Sequence, residues 1–295
     1  MTNLVDIRTL VLASGVIAVV LFVYMFHVQA TRKTYPGFRL WTRGSLAAGV
    51  GLVLIALRGI VPDLLSIVLS GALILGYPLM IYRGLAAFIG QRPGWWPDII
   101  LYAVYAIITC WFTYGPISVA MRIAVISLLL SYYLARGYLL AAGPVAALLG
   151  SRNWMLIAAL AGMSGLFLVR GLANLLGLSQ PEHFMANSTL QAVTFILSFA
   201  GQIFSATGLV SLNMQRLEQD LSQAQHEVNL LSGLLPICAN CKRIRDGQGD
   251  WHQVEAYIST RSEAKFSHGI CPECIRDLYP EISEQVLAKE RTAKG

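Results

Sequence analysis

Seven long apolar stretches, separated by short polar segments, fill the first 212 residues. They run roughly over 7–28, 41–60, 64–87, 97–114, 117–139, 154–176 and 188–212. Each is close to the length of about 20 residues that a helix needs to cross a bilayer. Internal Gly76 and Pro78 do not argue against crossing, because lipid-embedded helices tolerate both. The first stretch ends on the bulky Met25-Phe26-His27 rather than on a small-residue cleavage site, so it reads as a retained span. The pattern then changes. Met214, Leu217, Leu221, Ala224, Val228, Leu231 and Leu235 recur at alternating steps of three and four, the a/d seam of a coiled coil. Glu218, Asp220, Gln223, Gln225 and Glu227 lie off that seam. Neither Gly nor Pro interrupts the chain between the seventh stretch and Gly233, so the last span is expected to run on as one helix until Pro236 stops it.

This pattern predicts three parts: seven transmembrane helices over 1–212, a coiled-coil helix over 213–235, and a small C-terminal module over 236–295. The fold class is an all-α multi-pass membrane protein carrying a small α+β unit of treble-clef or zinc-ribbon type. Within that unit, Lys242–Arg245 reads as a short strand and Asp246-Gly-Gln-Gly249 as a turn. Val254 to Ser259 reads as a short helix. A second helix is expected to start at Cys271-Pro272, with Cys as the cap and Pro in the first helical position. Trp251, Phe266 and Tyr279 are the expected core.

Composition supports the membrane reading. The 295 residues are 56% hydrophobic and only 13% charged, against about 25% charged in a typical soluble domain. Before Asn213 there are 12 Lys/Arg and 4 Asp/Glu; from Asn213 onward there are 10 and 12. The net charge of +6 therefore arises in the apolar part, where basic residues at loops speak of topology rather than of nucleic acid. Arg32, Lys33, Arg39 and Arg43, then Arg83 and Arg92, then Arg136, Arg152 and Arg216 fall at alternate loops; Asp63, Glu182 and His183 fall at the others. The positive-inside rule puts the N-terminus outside and the C-terminus in the cytoplasm. Trp41, Trp95, Trp96 and Trp154 are expected at the cytoplasmic interface.

The candidate metal chemistry lies near the end. Cys238-Ala-Asn-Cys241 and Cys271-Pro-Glu-Cys274 are two C-x-x-C pairs with 29 residues between them. Two such turns supply the four sulfurs of a tetrahedral Zn²⁺ site, here a structural one. Iron on the same ligands and two redox-active dithiols are the alternatives. Cytoplasmic thiols stay reduced, which favours a metal over disulfides. His268 is a further candidate, read as a hydrogen-bonding neighbour rather than as a ligand. Cys110 is read as a small packed residue of the membrane part.

Two stretches resemble known families. Leu-Leu-Pro-Ile-Cys238-Ala-Asn-Cys241-Lys-Arg-Ile-Arg-Asp, followed by Phe-Ser-His268-Gly-Ile-Cys271-Pro-Glu-Cys274, is similar to a small cysteine module found at the C-terminus of many bacterial sensory proteins, often after PAS or GAF domains. Tyr35-Pro-Gly-Phe-Arg-Leu-Trp41, Ala-Leu-Arg58-Gly-Ile-Val-Pro62-Asp63 and Tyr82-Arg83-Gly84-Leu resemble the seven-span input region found before some diguanylate cyclases and histidine kinases. The resemblances imply a sensory membrane domain with an interchangeable output. No Gly-Gly-Asp/Glu-Glu-Phe motif, kinase phospho-acceptor box or nucleotide-binding glycine motif is present, so no enzymatic activity is expected. Arg58, Arg122 and Arg170 map to the extracytoplasmic ends of their spans; they are either lipid anchors or one anion or ligand site. The expected protein is a dimeric, membrane-bound signal transducer whose zinc module docks a cytoplasmic protein partner. A redox or metal sensor using the C-x-x-C pairs is the second expectation.

Overall fold

The computed structural model describes residues 7–179, 189–232 and 235–285. The side chains of 189–190 and 229–232 are not among the features described. Glu182 and His183, expected in a polar loop, and the side chain of Leu231 therefore lie outside the described residues.

Among the described residues, seven helices are long and apolar enough to cross a membrane. They are α1 (Ile7–Thr31), α2 (Phe38–Ala56), α3 (Leu64–Phe88), α4 (Trp96–Tyr114), α5 (Val119–Leu149), α6 (Trp154–Leu175) and α7 (Thr189–Ser232). The chain is thus a multi-pass membrane protein by length and composition. Helices α1, α2 and α3 pack in sequence, α3 packs on α5, and α5 packs most closely on α6. Between α5 and α6 the Ser131 hydroxyl donates to the Ser164 carbonyl at 2.9 Å, and the Ser164 hydroxyl donates back to the Ser131 carbonyl at 3.1 Å. Small hydroxyl residues let two backbones approach and bond across apolar surroundings.

The end of α5 differs from the sequence reading for a physical reason. A π-helical turn opens α3 at Leu64–Leu69, and another sits within α5 at Ala141–Val145, around Pro144. A π-turn absorbs the missing proline N–H without ending the helix. Helix α5 consequently runs to Leu149 rather than stopping near 139. Arg136 lies inside it, stacked on Tyr82 at 3.9 Å, and not beside a loop. At the other π-turn, the Tyr105 hydroxyl donates to the Ile67 and Val68 carbonyls, both at 3.3 Å.

Trp41 is no interfacial belt residue. It is 1% exposed and its indole N–H donates to the Ile81 carbonyl at 3.3 Å. Trp95, Trp96 and Trp154 are exposed, as a belt requires. Trp41 is admitted by Gly84, where an added Cβ would lie 2.0 Å from the indole nitrogen. Gly37 makes the matching approach: its φ is 100°, and a Cβ there would fall 2.1 Å from the Gly84 carbonyl oxygen. Gly37→Ala should therefore cost at least about 1–2 kcal/mol from the left-handed backbone alone, with the clash in addition. A lowered melting temperature in detergent would register it; an unchanged one would contradict this packing.

The end of the bundle where α7 emerges is tied together by polar contacts. Asn213 accepts from the Tyr35 N–H at 3.0 Å and donates to the Lys33 carbonyl at 3.2 Å. Arg216 donates to the Phe88 carbonyl at 2.6 Å and stacks over Tyr35 and Phe88. Gln219 donates to the Leu149 carbonyl at 2.7 Å. Tyr35 also donates to Asp220; burial and that carboxylate push its phenol up to about 12. These bonds satisfy carbonyls at helix ends that would otherwise be orphaned.

A second compact unit spans Gln223–Gly295. Strand β1 (Ile244–Arg245) pairs antiparallel with β2 (Trp251–His252), Ile244 opposite His252, across the expected turn. Asp246 holds the turn by accepting from the Gln248 and Asp250 N–H groups and by pairing with His252 at 2.7 Å. Helices α8 (Val254–Ser259) and α9 (Pro272–Leu278) follow, at the positions the sequence indicates. The core does not follow. Trp251, Phe266 and Tyr279 are exposed, while Ile244, Tyr257 and Ile275 are buried. Two-residue strands and a two-turn helix bury too little for large rings to close over.

Candidate ligand cavity and cysteine pairs

All seven long helices contribute to one internal cavity of about 160 Å³. Its lining comes from Ser14 of α1, Ala48 of α2, Ser70 of α3, Tyr105 of α4, Ile123 of α5, Phe167 of α6 and Phe199 of α7, among others. Arg58, Arg122 and Arg170 all line it. The three arginines, 112 residues apart in the chain from first to last, are therefore brought to a common space, as an anion site requires and independent lipid anchors would not.

Each arginine is held differently. Arg58 follows the C-terminal end of α2, and its carbonyl accepts from the Arg8 guanidinium at 3.0 Å. Arg122, one turn into α5, donates to the Thr113 hydroxyl at 3.2 Å. The Arg58 and Arg122 charges act on each other and on Asp63. Arg170, near the end of α6, is only 9% exposed, with its guanidinium 6.0 Å from the centre of the Phe195 ring. Its Nη2 is buried with no hydrogen-bond partner among the described residues. A buried donor left unmade costs about 1–3 kcal/mol, more when charged, so this one on the cavity wall is a feature to be explained by what the cavity takes up.

A second buried charge lies outside this cavity. Arg83 donates to Asp98 and to the Pro93 and Gly94 carbonyls at 3.0 and 2.7 Å, with its guanidinium 3.5 Å above Trp95. Tyr133 donates to the other Asp98 oxygen at 3.0 Å. Both charged side chains are 4% exposed. Arg83, read from sequence as a loop cation, is a neutralised structural residue that ties α3 to α4 and α5. An Arg at the end of an apolar run with an Asp a few residues into the next one was the available signal.

The cysteines gather in pairs. Cys238 N–H donates to the Arg243 carbonyl at 2.8 Å, Lys242 N–H donates to the Cys238 carbonyl at 3.0 Å, and Lys242 takes a φ of 59°. This tight turn aims the Asn240 and Cys241 N–H groups at the Cys238 sulfur and holds its thiol below the ordinary value. Cys271 caps α9, accepting from the Cys274 N–H at 3.5 Å, which also lowers its thiol; Cys274 is raised by Cys271. Each pair is thus shaped as half of a chelate. Among the described residues, no group of three or more Cys, His, Asp or Glu gathers at one point. The donor chemistry of Cys238, Cys241, Cys271 and Cys274 fits a thiophilic metal; their placement joins the cysteines two by two. His268 lines a shallow surface pocket beside Cys241 and Phe266.

No family model, curated protein or solved structure matches this chain. The resemblances to sensory proteins rest on the motif residues quoted above. Two of those motifs, Tyr35–Trp41 and Tyr82–Leu85, prove to pack on each other through Gly37, Trp41 and Gly84.

Proposed function

We propose that the protein is a signal-transducing membrane receptor, with the arginine-lined cavity as its input and α7 as the element that carries the response. The observation that supports this reading is the continuity of α7. Thr194, Phe195, Ser198, Phe199 and Gln202 line the cavity, and the same helix runs without interruption to Ser232. A ligand that contacts α7 in one of two arrangements biases whatever the far end of that helix does. The bilayer orientation is N-out and C-in, in a bacterial inner membrane, so the far end is cytoplasmic. The chain is not an enzyme on this reading, and its output is a docking surface for a cytoplasmic protein.

Beyond the bundle, Leu221 and Val228 are 67% and 56% exposed. An apolar seam at heptad spacing that faces water is a natural surface for the same helix of a second copy, entering parallel from the same membrane face. A photoactivatable cross-linking side chain placed at Leu221 or Val228 in native membranes should yield covalent dimer, and one at Gln223 should not. Equal yields everywhere, or none, would remove the dimeric relay.

In the C-terminal unit, Cys238, Cys241, Cys271 and Cys274 would hold one structural Zn²⁺, a metal that neutralises four thiolates and staples a unit too small to stand on its own core. Elemental analysis should find about one zinc per chain. Iron in its place would change the metal, and no metal in reduced protein would end this reading. The pairwise gathering of the cysteines favours a second reading, in which each pair is a dithiol that senses redox state. Its mark is reversible disulfide formation within each pair with the fold retained.

A further inference from the structure

The size of the cavity and the charge its wall leaves over together narrow what it can hold. Its volume of about 160 Å³ is close to the roughly 150 Å³ of an engineered apolar cavity that takes up benzene. The space therefore suits a body of about one ring. Such a body meets apolar side chains, among them Ile123, Ile126, Leu130, Phe167 and Phe199. Several hydroxyls on the wall already give their protons to main-chain carbonyls: Ser14 to Leu10 at 2.8 Å, Ser70 to Ser66 at 2.7 Å and Tyr105 to Ile67 at 3.3 Å. The charge on the wall is less well matched. The Asp63 carboxylate acts on both Arg58 and Arg122. No carboxylate pairs with Arg170 among the described residues, and its Nη2 is buried there without a partner. One buried positive charge with an unused donor thus stands beside a ring-sized apolar space.

We infer that the cavity binds a compact apolar monocarboxylate, an aromatic or branched short-chain acid, with its carboxylate on Arg170 and its body against the phenylalanine and aliphatic side chains. The inference rests on the receptor reading and names its ligand class. A carboxylate supplies the negative charge that Arg170 lacks, and a guanidinium can offer it two hydrogen bonds at once. Away from bulk water such a bond is electrostatically stronger than in solution. A ring or a branched body removes its own apolar surface from water as it enters. A bare inorganic anion would meet the charge and leave the apolar space unfilled. A neutral molecule of the same size would fill the space and leave Arg170 unmatched. A long-chain fatty acid would meet the charge, but its chain exceeds the volume.

The test uses the full-length protein in nanodiscs of zwitterionic lipid at neutral pH. Radiolabelled benzoate is the probe, empty nanodiscs are the blank, and bound label is read by equilibrium dialysis. Benzoate should bind saturably, and 2-methylbutanoate should displace it. Benzamide has the same shape without the charge and should displace it at least about 10-fold more weakly, the loss expected for hydrogen bonds to a charged group. Tetradecanoate should not displace it. Arg170→Gln should bring benzoate down to the level of benzamide; because it removes an uncompensated buried charge, the empty protein should be at least as resistant to heat. If that variant folds poorly, Ser198→Trp, which fills space on the cavity wall, should weaken benzoate and benzamide together. Equal binding of benzoate and benzamide would overturn the inference, as would undiminished benzoate binding by either variant. Displacement by tetradecanoate at the strength of benzoate would overturn the compact body. Acetate or inorganic phosphate as strong as benzoate would overturn the apolar body while leaving a small-anion receptor standing. No saturable binding would overturn the inference, and the receptor reading would then rest on cross-linking at Leu221 with the cavity open and blocked, which needs no ligand.

Discussion

Asp98→Ala should destabilise the membrane bundle by about 3–5 kcal/mol, because it strands the Arg83 guanidinium in an apolar interior. The environment supports a figure of that size. The pair is 4% exposed on both sides, and the carboxylate is the only anion bonded to Arg83 among the described residues. The Pro93 and Gly94 carbonyls would remain as partners for two guanidinium nitrogens, so the loss is that of the charge and of the Tyr133 acceptor. Removing both charges together, with Arg83→Met and Asp98→Leu, should recover most of the loss, since two apolar residues of similar volume need no solvation. Thermal unfolding of detergent-solubilised protein checks the cycle. A double variant as unstable as Asp98→Ala would mean that the pair does more than balance its own charge.

Removal of metal should have the other large effect. If four thiolates hold one Zn²⁺, its binding free energy, with apparent values of about 10–16 kcal/mol in small zinc modules, is also the folding free energy of residues 236–295. A strong chelator, or Cys271→Ser, should then abolish the order of that unit while the seven-helix part stays folded, since the chain divides into two compact units at Ser222 and Gln223. Protease digestion separates the outcomes. Cleavage confined to the C-terminal unit is expected; a unit equally resistant with and without chelator would show that the apolar residues buried among those described, Ile244, Tyr257 and Ile275, suffice without metal.

Much of the architecture is legible in the sequence because lipid leaves a helix little choice. A run near 20 apolar residues predicts a span, and all seven spans begin within three residues of their expected starts. The unbroken run through Met214 to Ser232 follows from the same logic, since nothing in it breaks a helix. What failed has local causes. Helix α5 runs past its expected end near 139, and a π-turn accommodates Pro144. Trp41 and Arg83 stood where interfacial aromatics and loop cations stand; each is instead buried by a glycine or an aspartate that lies far from it in sequence or just across a loop. One-dimensional position does not reveal which face of a helix a residue occupies when all faces are apolar.

The candidate sites divide in the same way. The three arginines could be suspected of meeting because all three map to one side of the membrane, and they do line one cavity. The bare Nη2 of Arg170 had no trace in the sequence, since it depends on how seven helices close on each other. In the cysteine unit the turn chemistry was readable, down to Cys271 as a cap and Pro272 at the first helical position. The core was misjudged: Trp251 outranks Tyr257 in size, but the ring that is buried is that of Tyr257, on α8.

The central claim is that the state of the cavity reaches the far end of α7. It is tested by the yield of the Leu221 photo-cross-link in native membranes, compared between the wild-type cavity and one blocked by Ser198→Trp. Ser198 and Leu221 share one helix and stand 23 residues apart, roughly 35 Å along its axis, so no direct contact links the two positions. The account predicts a several-fold change in cross-linking with the amount of folded protein unchanged. The same yield with the cavity open and blocked would contradict it and would leave α7 a passive tether.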